Sequence, residues 1–362
     1  MNVRVPPMLL VLGSIGLSAC DRNPAGPISE LPVERPTRPV DPLTARAAST
    51  TCPDRCAYLL PIEATGGEPR TMSVTDDARV TGLFVDSEGA MRSAFSWSSS
   101  SGTRQVVPRT PFEGATPRVW GGNSWGQLVG QVDERAVAWE PDGSPVPLRA
   151  GPENEVIRGD AHAINVHSVI VGSGSSSADP RTRAFRWHYL EGFQYLTPEF
   201  TSGAALHVTS SGLVVGYWRT SDGPRGGDHM FTWTKDGGFR DEGPGHVRGV
   251  SDNGHIVFFR GSWYYLRKPD GTVVDGLPDL PVAVNDWGEV VIDRIAEGCG
   301  AGVWYAGYGL LPLHSPDPRL PRCEITSINS WGDVVGTVFS PNGAERRVAV
   351  WTWQGNAWRF GH

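Results

Sequence analysis

The chain has 362 residues, among them 45 glycines, 30 prolines and 14 tryptophans, and its formal net charge is −7 at pH 7. An acidic chain is a poor partner for nucleic acid, because that binding normally requires a basic face. No run of apolar residues reaches the roughly 18 that a membrane-spanning helix needs. Glycines and prolines alternate with short β-branched runs, which favours many short strands joined by turns.

Residues 1–19 are predicted to be an export signal. Arg4 precedes an apolar run at residues 8–17, which is too short for a stable membrane span. The run ends in Leu17-Ser18-Ala19-Cys20, which resembles the lipobox of bacterial lipoproteins. The resemblance implies cleavage before Cys20 and a lipid on its thiol. We therefore expect a protein that is anchored in the bacterial cell envelope and faces the periplasm or the cell exterior. An ordinary secretory peptide with an incidental cysteine is the alternative.

Residues 20–50 are rich in proline and charge and have no apolar period. Such a segment cannot bury enough apolar surface to fold, and its prolines favour an extended spacer. We expect a disordered tether here, followed by one folded domain over residues 51–362.

The remaining cysteines are Cys52, Cys56, Cys299 and Cys323, an even number that suits disulfides in an exported protein. Sequence alone allows three pairings, and the repeat register given below favours Cys52–Cys56 with Cys299–Cys323. A zinc site is the alternative, but the Cys-x3-Cys spacing beside two isolated thiols is a weak metal pattern. We expect neither a metal nor a cofactor.

One unit recurs seven times between residues 72 and 353. Each copy has an apolar residue followed by Asn, Thr or Ser, a tight turn, a β-branched strand, an aromatic strand and a further short apolar run. The polar turn residues are Thr75, Asn123, Asn165, Thr209, Ser251, Asn285 and Asn329. The aromatic strands end at Trp97, Trp139, Trp187, Trp233, Tyr265, Trp304 and Trp351. Each copy therefore offers four short strands, the content of one propeller blade.

Units of the form Ile-Asn-x-x-Gly-x-Val-Val-Gly followed by Arg-Ala-Phe-x-Trp resemble the extracellular HAF repeat of bacterial proteins. The match is strongest in copies two, three, four and seven. Phe258 and Ile292 replace the second glycine in copies five and six, and Ala78 stands in the turn of copy one. The resemblance implies a secreted, propeller-like protein and brings no catalytic motif with it.

We predict an all-β fold, a β-propeller of seven four-stranded blades, whose closure would remove exposed sheet edges. An eight-bladed ring or a two-sheet sandwich is the alternative. Residues 356–360 (NAWRF) are expected to supply the fourth strand of the last blade, and residues 57–62 are expected to add at the seam.

The repeat register assigns loops to two faces. The Asn-led turns share one face, the turn face, and the loops between second and third strands share the other with the connections between blades. On this connection face Cys299 and Cys323 come together. The residue two positions before the turn Asn is small in six copies, and the exception, His207, is expected to point into the axial channel.

Candidate binding residues fall on both faces, and every one of them has an ordinary structural role as its alternative. Long loops on a rigid scaffold commonly carry function, and those near the connection-face mouth contain Arg118, Asp160, His162, His246 and Glu324. At the tips of three Asn-led turns stand Trp125, Trp287 and Trp331, which we expect to form an aromatic patch.

The sequence favours a monomeric binding module that takes a protein or polysaccharide ligand at its connection face. The alternative is a glycan-active hydrolase or lyase, although the sequence lacks a Gly-x-Ser-x-Gly elbow, a His-Glu-x-x-His helix and a phosphate loop. Histidines or carboxylates converging in a deep axial pocket would favour the enzyme, and a broad loop surface would favour the binding module.

Overall fold

The computed structural model describes residues 55–62, 67–86, 91–106, 117–150, 155–177, 179–220, 228–353 and 359–360. The predictions for the signal peptide, Cys20, the tether and Cys52 lie outside the described residues. Within this part of the chain the regular structure is almost wholly β-strand. No helix found there is long and apolar enough to cross a membrane.

Seven four-stranded antiparallel meanders follow one another along the chain, one for each copy of the repeat, and are named blades 1 to 7. Blades 2 and 3 are joined into one eight-stranded sheet where Arg158 pairs with Arg135. Blades 1 to 3 contain β2 (Glu68–Val74), β3 (Val80–Val85), β4 (Met91–Ser98), β5 (Gly102–Val106); β6 (Pro117–Gly122), β7 (Leu128–Val132), β8 (Arg135–Trp139), β9 (Pro145–Pro147); and β12 (Arg158–Ile164), β13 (Ile170–Ser175), β14 (Arg183–His188), β15 (Gly192–Tyr195). Between blades 2 and 3 lies a small hairpin of β10 (Arg149–Ala150) and β11 (Glu155–Val156).

The remaining blades repeat the same meander. Blades 4 to 6 contain β16 (Thr201–Val208), β17 (Val214–Thr220), β18 (His229–Thr234), β19 (Gly238–Pro244); β20 (His246–Val250), β21 (Ile256–Arg260), β22 (Trp263–Arg267), β23 (Val273–Val274); and β24 (Leu280–Val284), β25 (Val290–Asp293), β26 (Ala301–Tyr305), β27 (Gly309–Pro312). Blade 7 contains β28 (Arg322–Ile328), β29 (Val334–Phe339), β30 (Arg346–Thr352) and β1 (Cys56–Leu59). The all-β, seven-bladed prediction is confirmed.

The ring closes through its first strand, not its last residues. β1 pairs antiparallel with β30, with Cys56 opposite Thr352 and Leu59 opposite Ala349. The expectation that residues 356–360 supply this fourth strand is therefore wrong. Residues 354–358 lie outside the described residues, and Arg359 and Phe360 are buried instead of pairing as a strand.

The two buried C-terminal residues join blade 7 to blade 1, which explains why they are unavailable as a strand. Arg359 makes an ion pair with the fully buried Asp333 of blade 7 and donates to the backbone oxygen of Asp76 in blade 1. The Phe360 ring stacks on Trp97 with centroids 6.3 Å apart. These side-chain contacts of Arg359 and Phe360 therefore join blade 7 to blade 1 where the ring closes.

The predicted Cys299–Cys323 disulfide is confirmed, with Cα atoms 5.3 Å apart and a sequence separation of 24. In the chain-entropy model a bridge closing a loop of this length adds about 3 kcal/mol to stability. Cys56 is also disulfide-bonded, and its predicted partner, Cys52, lies outside the described residues.

The hydrophobic core is divided among the spaces between neighbouring blades. The large aromatic residue of each third strand packs against the preceding blade, so that Trp351 joins Val303 of blade 6, and Trp97 joins Val348 of blade 7. Trp139 and Trp233 are likewise buried. Flat aromatic bodies fill these gaps because each one removes a large apolar area from water.

The seven turns that begin with Asn, Thr or Ser all have the same backbone geometry. In each turn the amide three residues after the polar residue donates to that residue's carbonyl oxygen. The donating residue has positive φ, between 74° and 93° at the five glycines, and 58° at Ala78 and Ser168. Glycine is preferred at this point because it alone carries no steric cost in the left-handed region.

In four blades the side chain of the polar turn residue also donates a hydrogen bond to the next blade. The Asn165 side-chain oxygen accepts hydrogen bonds from the amides of His167 and Val169, both at 3.0 Å, and its Nδ2 donates to Thr209 O at 2.9 Å. Equivalent inter-blade bonds run from Asn123 to Asn165, from Asn285 to Asn329, and across the seam from Asn329 to Thr75. These asparagines are buried, so their amides must find partners inside the protein.

In blades 4 and 5, where Thr209 and Ser251 occupy this position, a carboxylate makes the bond to the next blade. The hydroxyl of Thr209 still accepts from Leu213 N at 3.0 Å, which keeps the turn intact. A carboxylate of the following blade then supplies the bond between blades, as Asp252 does for the amide of Ser210 at 2.7 Å. Asp286 binds the Asn253 amide in the same way at 2.8 Å.

Replacement of Asn165 should therefore separate its two roles. We expect Asn165→Ala to lower the free energy of unfolding by about 3 kcal/mol, because several buried polar groups lose their partners. Asn165→Thr should cost about half as much, since a hydroxyl preserves the turn and loses only the bond to Thr209. The control is Asn342→Ala, in an exposed turn of blade 7, with a cost of at most about 0.5 kcal/mol. Urea unfolding measures all three, and equal losses for Asn165→Ala and Asn165→Thr would contradict this division.

Candidate functional site: the axial cavity

The first strand of every blade contains one extra residue. The pairing with the second strand shifts register at the same place each time, which is the mark of a β-bulge. The bulged residues are Met72, Trp120, His162, Leu206, Arg248, Val282 and Thr326. A bulge breaks the alternation of faces along a strand, so in six blades the bulged residue and the residue after it both line the axis. In blade 5 the bulged residue, Arg248, is exposed and does not line the cavity.

A cavity of about 510 Å³ lies on this axis and is lined by all seven blades. Its wall includes the whole predicted ring of axial residues, namely Ser73, Gly121, Ala163, His207, Gly249, Ala283 and Ser327. The predicted axial position of His207 is thus confirmed. A second cavity, of about 520 Å³, lies towards the turn face and shares Ile164, Val250 and Val284 with the first. The two cavities therefore meet along the axis.

The second glycine of the repeat lies opposite the residue that precedes the bulge. A Cβ atom on Gly130 would lie only 1.9 Å from Arg118 O, and one on Gly172 would lie 2.0 Å from Asp160 O. In these blades the first strand approaches too closely for a side chain at this position. In blades 5 and 6 the aligned Phe258 and Ile292 are buried in inter-blade clusters instead.

One wall of the axial cavity, formed by blades 2 to 4, is polar and aromatic. Trp120 is 48% exposed, and its Nε1 donates to Asp160 Oδ1 in the next blade at 3.0 Å. His162 Nε2 lies 3.2 Å from Ser173 Oγ on the neighbouring strand. His207 of blade 4 continues this wall. The bond between Trp120 and Asp160 fixes the orientation of the indole before any ligand arrives.

The opposite wall is small and aliphatic. Blades 5, 6, 7 and 1 contribute residues such as Gly249, Ala283, Ser327 and Val282. These short side chains leave the space that the cavity occupies. The site is therefore strongly asymmetric, although it is built from seven similar units.

The cavity is uncharged at neutral pH. The residues described as lining it include no lysine, arginine, aspartate or glutamate. Burial, together with the proximity of His162, lowers the pKa of His207 to about 4. Burial also lowers the pKa of His162, although nearby Asp160 acts in the opposite direction. Both imidazoles are neutral, so each offers one hydrogen-bond donor and one acceptor.

Arg118, Asp160, His246 and Glu324 occupy equivalent positions, two residues before the bulge in four different blades. Only Asp160 contacts the polar wall of the cavity. His246 Nδ1 lies 3.3 Å from Asp228 Oδ2, and Glu324 Oε2 lies 3.6 Å from a nitrogen of Arg346. Among the predicted connection-face residues the structure thus brings together Asp160, His162 and His207.

The three turn-face tryptophans each contact another element. Trp125 and Trp287 donate their indole NH to the backbone oxygens of Val166 and Ser330 in the following blade, both at 2.8 Å. Their rings are nevertheless 59% and 39% exposed, respectively. The Arg359 guanidinium lies 4.8 Å from the ring centroid of Trp331. These tryptophans therefore contact neighbouring elements, and two of them also expose a ring surface to solvent. Their role in binding remains a prediction.

Sequence reasoning missed Trp120 and Leu206, which line the cavity from bulge positions. A signal was present in the column just before the small axial residue, where the seven copies hold seven different residue types. Metal binding was not expected, and among the residues that the structure describes there is no group of three or more His, Cys, Asp or Glu placed to hold a metal ion.

The half-buried imidazole of His207 should make the fold sensitive to acid. Unfolding restores an ordinary pKa near 6.5, so the unfolded chain binds more protons between pH 6.5 and about 4. Stability should therefore fall as the pH drops through this range, by roughly 3 kcal/mol for His207 alone. His162 adds a smaller loss of the same sign.

The measurement is urea unfolding of wild type and His207→Ser between pH 7.5 and about 4, with exposed His167→Ser as the control. We expect the stability advantage of His207→Ser over wild type to grow as the pH falls. If the wild-type and His207→Ser curves stay parallel over this range while His167→Ser behaves like wild type, burial of a neutral His207 is excluded.

Neither a family model nor a curated protein matches the chain. Among solved structures, it is similar to the β-propeller domain of the Trilobed protease from Pyrococcus furiosus, which is described as having an open velcro topology. The TM-score is 0.51 at 12% identity, with 83% of this chain and 96% of that chain covered. A streptogramin B lyase structure has a TM-score of 0.46 at 11% identity over 82% of this chain and 97% of that chain. The similarity to the Trilobed protease domain shows the fold alone: the chain is a β-propeller.

Proposed function

We propose that this protein is an exported, lipid-anchored propeller that binds a protein or polysaccharide ligand at the connection-face end of its axial cavity. The observation that carries the proposal is the polar and aromatic wall of Trp120, Asp160, His162 and His207, set against small residues that leave the cavity open.

Two features support the proposed location. The sequence Leu17-Ser18-Ala19-Cys20 resembles a lipobox, and Cys299 and Cys323 form a disulfide. Disulfides persist in oxidising compartments such as the periplasm and the cell exterior, and are rare in the reducing cytoplasm. The acidic charge of the chain agrees with a ligand other than nucleic acid.

The alternative, a glycan-active enzyme, draws support from the two histidines that converge in the axial cavity. Glycoside hydrolysis, however, usually requires two carboxylates about 5–10 Å apart. No carboxylate lines the cavity among the described residues, and Asp160 at its edge is bonded to Trp120. The binding function is therefore better supported than hydrolysis.

The location is tested by removing the proposed lipid acceptor. We expect Cys20→Ser to move the protein from the membrane fraction to the soluble envelope fraction and to abolish labelling with a fatty-acid analogue. Cys52→Ser, which leaves the proposed acceptor intact, is the control and should stay in the membrane fraction. Retention of Cys20→Ser in the detergent phase with undiminished labelling would refute lipid anchoring.

The binding face is tested by filling one end of the channel at a time. Leu206→Trp places a bulky ring in the axial cavity at the connection-face end, and Ser124→Trp does so in the turn-face cavity. We expect Leu206→Trp to lose at least about tenfold in affinity for the ligand that wild type retains from envelope extract or a glycan array. Ser124→Trp should bind like wild type. The reverse pattern would place the site on the turn face.

A further inference from the structure

The asymmetry of the axial cavity points to the kind of ligand it accepts. Seven similar blades meet at the axis, yet only blades 2 to 4 place an indole and two imidazoles there. In most other blades the corresponding positions hold aliphatic or small residues, and the strand has the same bulged backbone. The needs of the fold therefore do not account for Trp120, His162 and His207 on one wall.

Several polar atoms on this wall have no hydrogen-bond partner among the described residues. Within the described part of the chain, neither ring nitrogen of His207 makes a hydrogen bond, and His162 uses only Nε2. Asp160 uses Oδ1 for Trp120 and leaves Oδ2 unpaired. Desolvating these atoms without replacing their hydrogen bonds would be costly, which argues against a purely apolar ligand.

The charge and size of the cavity narrow the choice further. An anionic ligand would find no cation in the lining and would lie beside the carboxylate of Asp160. A volume of about 510 Å³ is within the usual range for small-molecule pockets. The half-exposed Trp120 ring offers a flat apolar platform, and the unpaired atoms beside it provide both donors and acceptors.

We propose that the axial cavity binds a neutral carbohydrate, with one sugar ring packed on Trp120 and its hydroxyls bonded to Asp160, His162 and His207. The inference rests on the proposed binding function and specifies its ligand as the uncharged end or branch of a polysaccharide. A sugar ring has one apolar face, and each of its hydroxyls both donates and accepts. That combination matches an indole next to a carboxylate and two neutral imidazoles.

The experiment is calorimetric titration with neutral gluco-, galacto- and manno-oligosaccharides and with uronic-acid oligosaccharides of matched length, at pH 7.5. We expect wild type to bind at least one neutral series and to bind the uronic-acid series at least about tenfold more weakly. Trp120→Ala should lose about tenfold or more in affinity, as truncation of a central aromatic contact commonly does. Trp120→Phe should stay within about threefold, because it keeps a platform, and His207→Ser should lose about tenfold.

The matched control is Trp263→Ala, which removes a 66% exposed tryptophan on blade 5, outside the cavity lining. It should bind like wild type, and thermal unfolding should confirm that every variant is folded. Equal losses in Trp120→Ala and Trp263→Ala would overturn the proposal.

These experiments distinguish failure of the carbohydrate proposal from failure of the proposed binding function. If wild type retains a protein or a charged polysaccharide that Leu206→Trp no longer binds, and no neutral sugar binds, the carbohydrate inference is wrong and the binding function stands. If no ligand is affected by Leu206→Trp, the axial site itself is refuted, and the carbohydrate inference is refuted with it.

Discussion

The propeller depends on one polar side chain per blade, buried in six of the seven blades and placed where the first strand enters its turn. In Asn165 a single amide closes the turn with its oxygen and reaches the next blade with its nitrogen. A buried amide without partners would be costly, so its bonds specify both the turn and the spacing of neighbouring blades. Where a hydroxyl replaces the amide, as in Thr209, a carboxylate of the next blade restores the link. Nonpolar packing between blades supplies the core, and this polar ring determines how the blades meet.

The same strand that carries the polar residue also forms the site. In six of the seven blades its bulge directs two residues towards the axis, of which one is variable and the other is small in every blade but the fourth. The small residues keep the channel open, and the following β-branched residues, such as Ile164 and Val284, lie where the two cavities meet. The axial position is therefore restricted to small residues in most blades, whereas the bulge position before it holds residues of many types. Trp120 and His162 occupy this bulge position, which explains how one repeated unit forms an asymmetric cavity.

Much of this fold was predictable because its signals are local. The turn, the β-branched strand and the aromatic strand recur in the sequence, and their register placed Cys299 beside Cys323 and His207 at the axis. The bulge was not predictable, since seven different residue types occupy it and only backbone pairing reveals it. The closing strand was also mispredicted, because both candidate segments are apolar and aromatic. In the structure Arg359 lies across the seam, paired with Asp333 and bonded to the backbone of blade 1.

We propose recognition in the axial cavity, although the most exposed aromatic residue of the predicted site, Trp125, is at the turn face. The indole NH groups of Trp125 and Trp120 both bond to the next blade, and beside Trp120 the described residues Asp160, His162 and His207 retain unpaired polar atoms. The most direct measurement is a structure determined with a neutral oligosaccharide bound. The account requires a sugar ring packed on Trp120 within hydrogen-bonding distance of His207. A saccharide seated at the turn face or on an outer strand, with the axial cavity holding only water, would contradict it.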